Sequence, residues 1–261
     1  MAPRSIWNGT IAFGLMSVPV KLHAATESKT VHFHEVHLDD GARVEHRRFC
    51  AKEDEEVPYD EVVKGYEVEP DEYVVLDKDE IAAAAGDGAH RIEVEHFVDA
   101  GEIDPVFFDR TYWLGAGKDG AQPYRLLHDA LEQTGRAGIG RFTFHDREYL
   151  AAIRARDDVL VLHTLRFADE LAVGEDVEVA TPNRGPGDRE VKMAAQLIDT
   201  LHEKFRPERY EDEYRAAVLK VIEAKAKGEA IEPEDQPAAD DSSDLMAALE
   251  ASLDGSRKGG R

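Results

Sequence analysis

Three strand-like runs near the middle of the chain carry arginines at a spacing that suits phosphate chemistry. Phe142 and Phe144 alternate with Arg141, Thr143 and His145; Ile153 and Ala155 alternate with Arg154 and Arg156; Arg166 lies between Leu165 and Phe167. Successive side chains of a strand point to opposite faces, so each run joins one apolar face to one bearing guanidinium groups. If neighbouring strands bring like faces together, Arg141, Arg154, Arg156 and Arg166 gather on one side of a sheet. Arg147, in the turn between the first two strands, would add to them. A guanidinium stays charged and donates two parallel hydrogen bonds to one phosphate. The competing expectation is that each arginine is spent on a nearby acid such as Asp146, Glu148 or Asp157.

Two other clusters invite chemistry. Arg43, Arg47 and Arg48 lie beside His46 and just before the acidic run Glu53 to Glu56, which can pair with them. On a strand Arg47 shares a face with Arg43, and Arg48 takes the other. His32, His34, His37 and His46 with Cys50 form the obvious metal candidate. Structural zinc needs three or four nitrogen or sulfur ligands, and Cys50 is followed by Ala51, Lys52 and Glu53, with no second cysteine in the chain. Hydrogen-bonded strand histidines are therefore expected, and no metal. The chain contains no Gly-x-x-x-x-Gly-Lys-Ser/Thr loop, Gly-x-Ser-x-Gly elbow or His-Glu-x-x-His helix, so no catalytic residue and no cofactor is assigned.

The elements that must position these residues are mostly short strands. Ile11, Phe13 and Leu15, then Val18, Val20 and Leu22, alternate with small or polar residues, as half-buried strands do. Gly14 and Pro19 suggest a kink, bulge or edge there. Asp39-Asp40-Gly41 marks a hairpin turn. Further strands are expected at Tyr73–Leu76, Ile92–Phe97, Tyr112–Leu114 and at about 139–145, 149–156 and 159–167, with a helical turn at Asp79–Ala85. Pro123 opens a helix with Tyr124, Leu127 and Leu131 on one face, closed by Gly135. Many strands with few helices favour a closed or nearly closed β-barrel, so the fold class is mixed but mainly β.

After the linker-like Pro182–Gly187 the periodicity becomes helical: Asp188 can cap one helix and Pro207 can start another, ending at Gly228. The expected division is a β core over 1–187, a helical arm over 188–228, a flexible acidic linker over 229–242, and a short helix with a basic tail over 243–261. In that last helix Leu245, Met246, Leu249 and Leu253 form one apolar stripe, suited either to docking on the chain's own domain or to a partner's groove.

The formal net charge of −23 over 261 residues argues against nucleic acid if spread evenly. It is not: residues 35–104 carry −16 and 169–261 carry −10, whereas 1–34 carry +2 and 105–168 carry +1, with eight arginines in the latter. A basic surface within an acidic shell is compatible with these totals. No apolar run reaches membrane-spanning length and no secretory leader is read, so a cytoplasmic chain without membrane partners is expected.

Against this background the chain resembles the bacterial Ku proteins along nearly its whole length. The resemblance rests on Ser5–Leu22, Phe33-His34-Glu35-Val36-His37, Glu56-Val57-Pro58-Tyr59 through Val63-Lys64-Gly65-Tyr66, Tyr73–Leu76, Asp104–Tyr112, the strand around Arg141, Val161-Leu162-His163-Thr164-Leu165, Glu190–Ala194 and Ser243-Asp244-Leu245-Met246. It implies a homodimeric ring, each chain giving a β-barrel and a bridge that arches over double-stranded DNA threaded from a broken end. It implies sequence-independent contacts to sugar and phosphate, with Lys21, Arg43, Arg47, Arg48, Lys64, Arg141, Arg147, Arg154 and Arg156 in regions that would line the ring. It implies that the segment holding Leu245, Met246, Leu249 and Leu253 recruits an ATP-dependent multifunctional repair DNA ligase for non-homologous end joining, with no catalysis by the chain itself, in a cytoplasmic, nucleoid-associated setting. Many relatives carry Cys-x-x-Cys where this chain has Cys50-Ala51-Lys52-Glu53, and some have long lysine-rich tails where this chain has only Arg257, Lys258 and Arg261. Two other readings remain: a metal-dependent enzyme using the His32/His34/His37 region, and an acidic adaptor.

Overall fold

The computed structural model describes residues 4–77, 79–81, 90–144, 147–172, 177 and 185–229. The expected helical turn at Asp79–Ala85, the acidic linker, the Leu245–Leu253 stripe and the basic tail lie wholly or mostly outside them. Nine strands occur among the described residues: β1 (Trp7–Phe13), β2 (Met16–Ala24), β3 (Lys64–Glu69), β4 (Glu72–Leu76), β5 (Arg91–Asp99), β6 (Phe108–Ala116), β7 (Arg136–Phe144), β8 (Arg147–Arg156) and β9 (Val159–Leu165). Helix α1 spans Ala121–Thr134, α2 Asp188–Leu201 and α3 Glu213–Ala226. By proximity the chain divides into two units, Met1–Lys29 with His34–Gly174 and Thr30–Phe33 with Glu175–Arg261.

In the first unit seven strands close a barrel in the order β1-β2-β6-β9-β8-β7-β5. Neighbours are antiparallel except at the closure, where β1 runs parallel to β5 with Ile11 opposite Ile92. Closure leaves the barrel without an open edge.

The opening run forms the two strands that its alternation predicts, joined by a tight hairpin turn where a kink was expected. Trp7 faces Leu22 and Phe13 faces Met16 across a two-residue turn, in which Gly14 takes φ +54. That conformation is inexpensive only without a Cβ. Pro19 lies within β2, where the sequence suggested an edge or bulge. It faces Thr10, whose N–H turns away to the His90 carbonyl, while the Pro19 carbonyl turns to Gly117 N–H at 2.8 Å. The pair is thus one that exchanges no ladder bonds, and the missing proline N–H costs the β1–β2 ladder nothing.

The barrel core comprises Ile11, Val18, Val20, Leu22, Ile92, Val94, Tyr112, Leu114, Phe142, Ala151, Ile153, Leu160 and Leu162, with Trp7 beside them. Helix α1 adds Tyr124, Leu127 and Leu131 to this cluster, the face its sequence spacing predicted. It starts two residues before Pro123 and ends where Gly135 takes φ +64. The Tyr124 hydroxyl donates to the Leu114 carbonyl at 2.5 Å and accepts from the Leu160 N–H at 2.8 Å. It therefore ties the helix to β6 and β9 where those strands meet.

Between β2 and β5 the chain makes a long excursion from the barrel. It contains the β3–β4 hairpin and two single bridges, Val36 to Arg43 and Phe49 to Glu56. Gly41 takes φ +69 at the expected turn. No described residue from His34 to Asp77 is buried.

In the second unit, α2 and α3 realise the helical periodicity, and neither has a buried residue. The second helix begins at Glu213, not after Pro207. Pro207–Arg209 forms a separate short turn, and the Asp212 carboxylate accepts the Arg215 N–H at 2.8 Å, making Asp212 the cap.

Candidate nucleic-acid interface

Barrel register decides which cations share a surface. Core residues Phe142, Ala151, Ile153, Leu160, Leu162, Tyr112 and Leu114 face inward, so the residues alternating with them face outward. The outward face of β7, β8, β9 and β6 therefore carries Arg141, Arg154, Arg156, His163, Val161, Thr111 and Trp113. Cross-strand pairs place Arg154 beside Val161, Arg156 beside Val159, and Trp113 beside both Val161 and His23. Lys21 of β2 faces Gly115 and also points outward, on the row that runs towards Arg156. At about 4.8 Å per strand, Lys21 and Arg156 stand roughly 14 Å apart, whereas Arg154 and Arg156 are about 7 Å apart along one strand.

The four arginines expected on one face do not all meet. Arg141 pairs with Leu150, four positions along β8 from Arg154, which separates them by about 13 Å. Arg166 follows Leu165, which shares the outward side with Leu150, so Arg166 turns the other way. Arg147 has the parity of inward-facing Tyr149 and sits over that ring, 5.3 Å from its centre. Arg110, Arg147 and Arg166 instead converge with Asp109 and Glu170 around a polar recess of about 210 Å³.

Carboxylates divide these cations further. Arg141 is held by Glu95 at 3.1 Å and Glu148 at 3.8 Å. Arg147 pairs with Glu170, and Arg166 with Asp109 at 3.2 Å. Backbone N–H of Phe167 first, and Arg147 as well, hold the Glu170 carboxyl below its ordinary range. Arg156 has only a loose contact to Asp157 at 3.8 Å and lies over the Trp113 ring at 5.9 Å. Arg154 has no carboxylate within ion-pair distance among the described residues. Its Nε donates to His163 Nε2 at 3.0 Å. Lys21 likewise has no acid partner among the described residues. The expectation of acid pairing thus holds for Arg141, Arg147 and Arg166 and fails for Arg154.

The excursion carries the remaining candidates, all exposed. Arg47 is paired with Glu56 at 3.0 Å, Arg48 lies 4.7 Å over the Tyr59 ring, Lys64 opens β3, and Arg43 stands at the bridge to Val36. His37 and His46 are turned to Asp40 at 3.0 Å and Glu35 at 2.6 Å. Among the described residues, the grouping of three potential ligands within 4.8 Å is His128, Asp129 and Glu132, not the His32/His34/His37 region. There the buried His128 ring is already engaged by Asp129 at 3.0 Å and the Asp157 carbonyl at 2.8 Å, and Asp129 also binds Arg125 at 2.8 Å.

Sequence reasoning gave His163 no role of its own. It is buried, yet it faces outward beneath the arginines. Its only signal was a histidine in the apolar run Val159–Leu165, two strand positions from residues that face the β8 arginines.

Comparison with known proteins agrees with this architecture. A family model described as the Ku70/Ku80 beta-barrel domain matches residues 12–194. The chain is 43% identical over 260 residues to the non-homologous end joining protein Ku of Anaeromyxobacter sp. (strain K), covering 98% of this chain and 87% of that one. It is 42% identical to non-homologous end joining protein Ku 1 of Saccharopolyspora erythraea, covering 98% and 80%. It is 35% identical to the corresponding Bacillus subtilis (strain 168) protein, covering 98% and 84%.

Proposed function

From the premise that this chain belongs to the Ku family, we propose that it binds the ends of double-stranded DNA as a homodimeric ring, without reading sequence, in non-homologous end joining. The observation that carries this reading is the excursion between β2 and β5. From Val36 to Leu76 it exposes thirteen large apolar side chains, Tyr66, Tyr73, Val74 and Val75 among them. A patch of that extent on a lone protomer needs a partner to cover it. A second copy pairing through the same segment would bury it and close an arch over the duplex.

The outward barrel face supports the DNA contact. Lys21 and Arg154 stand on a surface where no described acid pairs with them, and Arg156 beside them has only the 3.8 Å contact to Asp157, within a chain that is acidic elsewhere. Lys21, Arg43, Arg48 and Lys64 would reach sugar and phosphate from the hairpins and strands that carry them, while Arg47, Arg141 and Arg147 would first have to exchange a carboxylate for a phosphate. Such contacts position the duplex and carry no sequence information. The chain acts as a scaffold: the Leu245, Met246, Leu249 and Leu253 stripe, outside the described residues, would recruit the multifunctional ATP-dependent DNA ligase that seals the break. No described helix is long and apolar enough to cross a membrane. On this reading the chain would work where the chromosome lies, in the cytoplasm at the nucleoid.

Gel shift with one duplex, linear or as a relaxed closed circle, tests the reading. Binding is expected only to the linear form, and log affinity should fall with log salt by about 0.9 for each phosphate neutralised. Equal affinity for the circle would exclude end recognition.

A further inference from the structure

On the reading above, we propose that His163 is a positioning residue that pins Arg154 so that its two terminal nitrogens meet a DNA phosphate. The hydrogen-bond roles follow from chemistry. The Arg154 Nε–H can only donate, so His163 Nε2, at 3.0 Å, must accept. The ring proton then sits on Nδ1 and is donated to Thr111 Oγ1, also at 3.0 Å. Phe108 meets the ring at 70°, with centroids 5.0 Å apart. The imidazole is thereby fixed at both nitrogens and packed against an aromatic ring.

Holding Arg154 in this way preserves its charge. A carboxylate would orient the guanidinium equally well but neutralise it, as Glu95 and Glu148 do for Arg141. A neutral imidazole takes the Nε–H alone and leaves both Nη groups, the half of the fork that matches two phosphate oxygens. Burial first, then Arg154 and Arg156, push the His163 pKa down to about 4, so the ring is uncharged at neutral pH and its acceptor is always available. Pre-orienting a long side chain also removes part of the ordering cost of binding.

A double-mutant cycle decides the proposal. Wild type, His163→Phe, Arg154→Ala and the double variant are titrated against a short blunt-ended duplex by fluorescence anisotropy at several salt concentrations. His163→Phe should weaken binding roughly three- to tenfold, the range of one contact-level coupling, and should add nothing once Arg154 is alanine. His163→Gln, which keeps an acceptor, should recover most of the loss. Thr111→Val, which frees the far side of the ring while leaving His163 in place, should weaken binding in the same Arg154-dependent way, and it stands in if His163→Phe fails to fold. An equal loss with and without Arg154, or no loss, would overturn the proposal. Failure of wild type to prefer linear DNA would instead refute the functional reading on which it rests.

Discussion

Replacing Tyr124 by phenylalanine tests how the barrel is held at its helix-covered junction. The substitution keeps the ring, so it leaves no cavity beyond the lost oxygen. It deletes the single hydroxyl that accepts from Leu160 N–H and donates to the Leu114 carbonyl. Both leucines are fully buried, so water cannot replace the hydroxyl without opening the core. Burial raises the Tyr124 pKa, so the hydroxyl keeps its proton and remains a donor through the physiological range. Each of the two buried backbone groups left unpaired costs about 1–3 kcal/mol, which puts the loss at roughly 2–6 kcal/mol. Leu114 and Leu160 face one another in the β6–β9 ladder, and direct pairing between them would reduce the loss towards the lower bound. The assay is urea unfolding, where the midpoint should fall with an unchanged slope. Leu131→Ala, which removes the neighbouring helix contact, should cost a comparable 2–5 kcal/mol as a core cavity. A Tyr124→Phe loss below about 0.5 kcal/mol would refute the hydroxyl as the tie between helix and barrel.

The ion-pair pattern makes Arg154→Gln and Arg141→Gln unequal in DNA binding. Arg154→Gln should lower the salt slope by about 0.9 per copy, whereas Arg141→Gln, already shared between two acids, should change it by less than half of that in the same titration. Gly140→Ala would place a Cβ 2.2 Å from the Glu93 carbonyl oxygen and 2.9 Å from Val94 Cα, so the β5–β7 ladder must part; about 3 kcal/mol is expected, read as a lower Tm. The His163 pKa sets a pH window. The unfolded histidine gains a proton as pH falls through 6.5, but the folded one resists until about 4. Its neutral burial therefore favours folding fully above pH 6.5 and loses that advantage as pH drops towards 4, by about 3 kcal/mol in all. The difference between wild-type and His163→Gln unfolding curves across that window isolates it, and parallel curves would contradict it. Val74→Glu, opposite Tyr66 in the β3–β4 hairpin, should leave the far-ultraviolet spectrum of the barrel intact while light scattering shows a monomer that has lost end binding.

Much of the barrel was legible because period-two alternation is a local property. The two strands within Trp7–Leu22, the β7 to β9 strands and the Tyr124/Leu127/Leu131 face with its Gly135 stop all follow from neighbouring residues, whereas the pairing of the first two strands as a hairpin does not. Pro19 misled because edge placement is the usual way to accommodate a proline in a sheet, and only the ladder shows that its missing N–H is turned away from β1, so the β1–β2 pairing loses no bond. The interface was half legible. Alternation correctly separated Arg154 and Arg156 from the core side of β8, and Arg141 from Phe142 and Phe144. It could not align one strand's faces with another's, since a one-residue change in register or strand length reverses every side chain. Arg166 and Arg147 left the expected cluster for that reason.

The amino-acid sequence by itself determined most of the barrel strands, the main helix, the uneven distribution of charge and the family to which the ordered motifs point, but not β3 or the near absence of strand over residues 31–50. Tertiary structure alone decided which arginines remain available. That outcome depends on contacts between distant positions: β5 laid beside β7 brings Glu95 to Arg141, the β6–β9 and β8–β9 pairings bring Thr111 and Arg154 to the two nitrogens of His163, and the return of Glu170 engages Arg147. Charge availability is a matter of ångström separations between groups far apart in the chain, and local patterning carries no information about those separations.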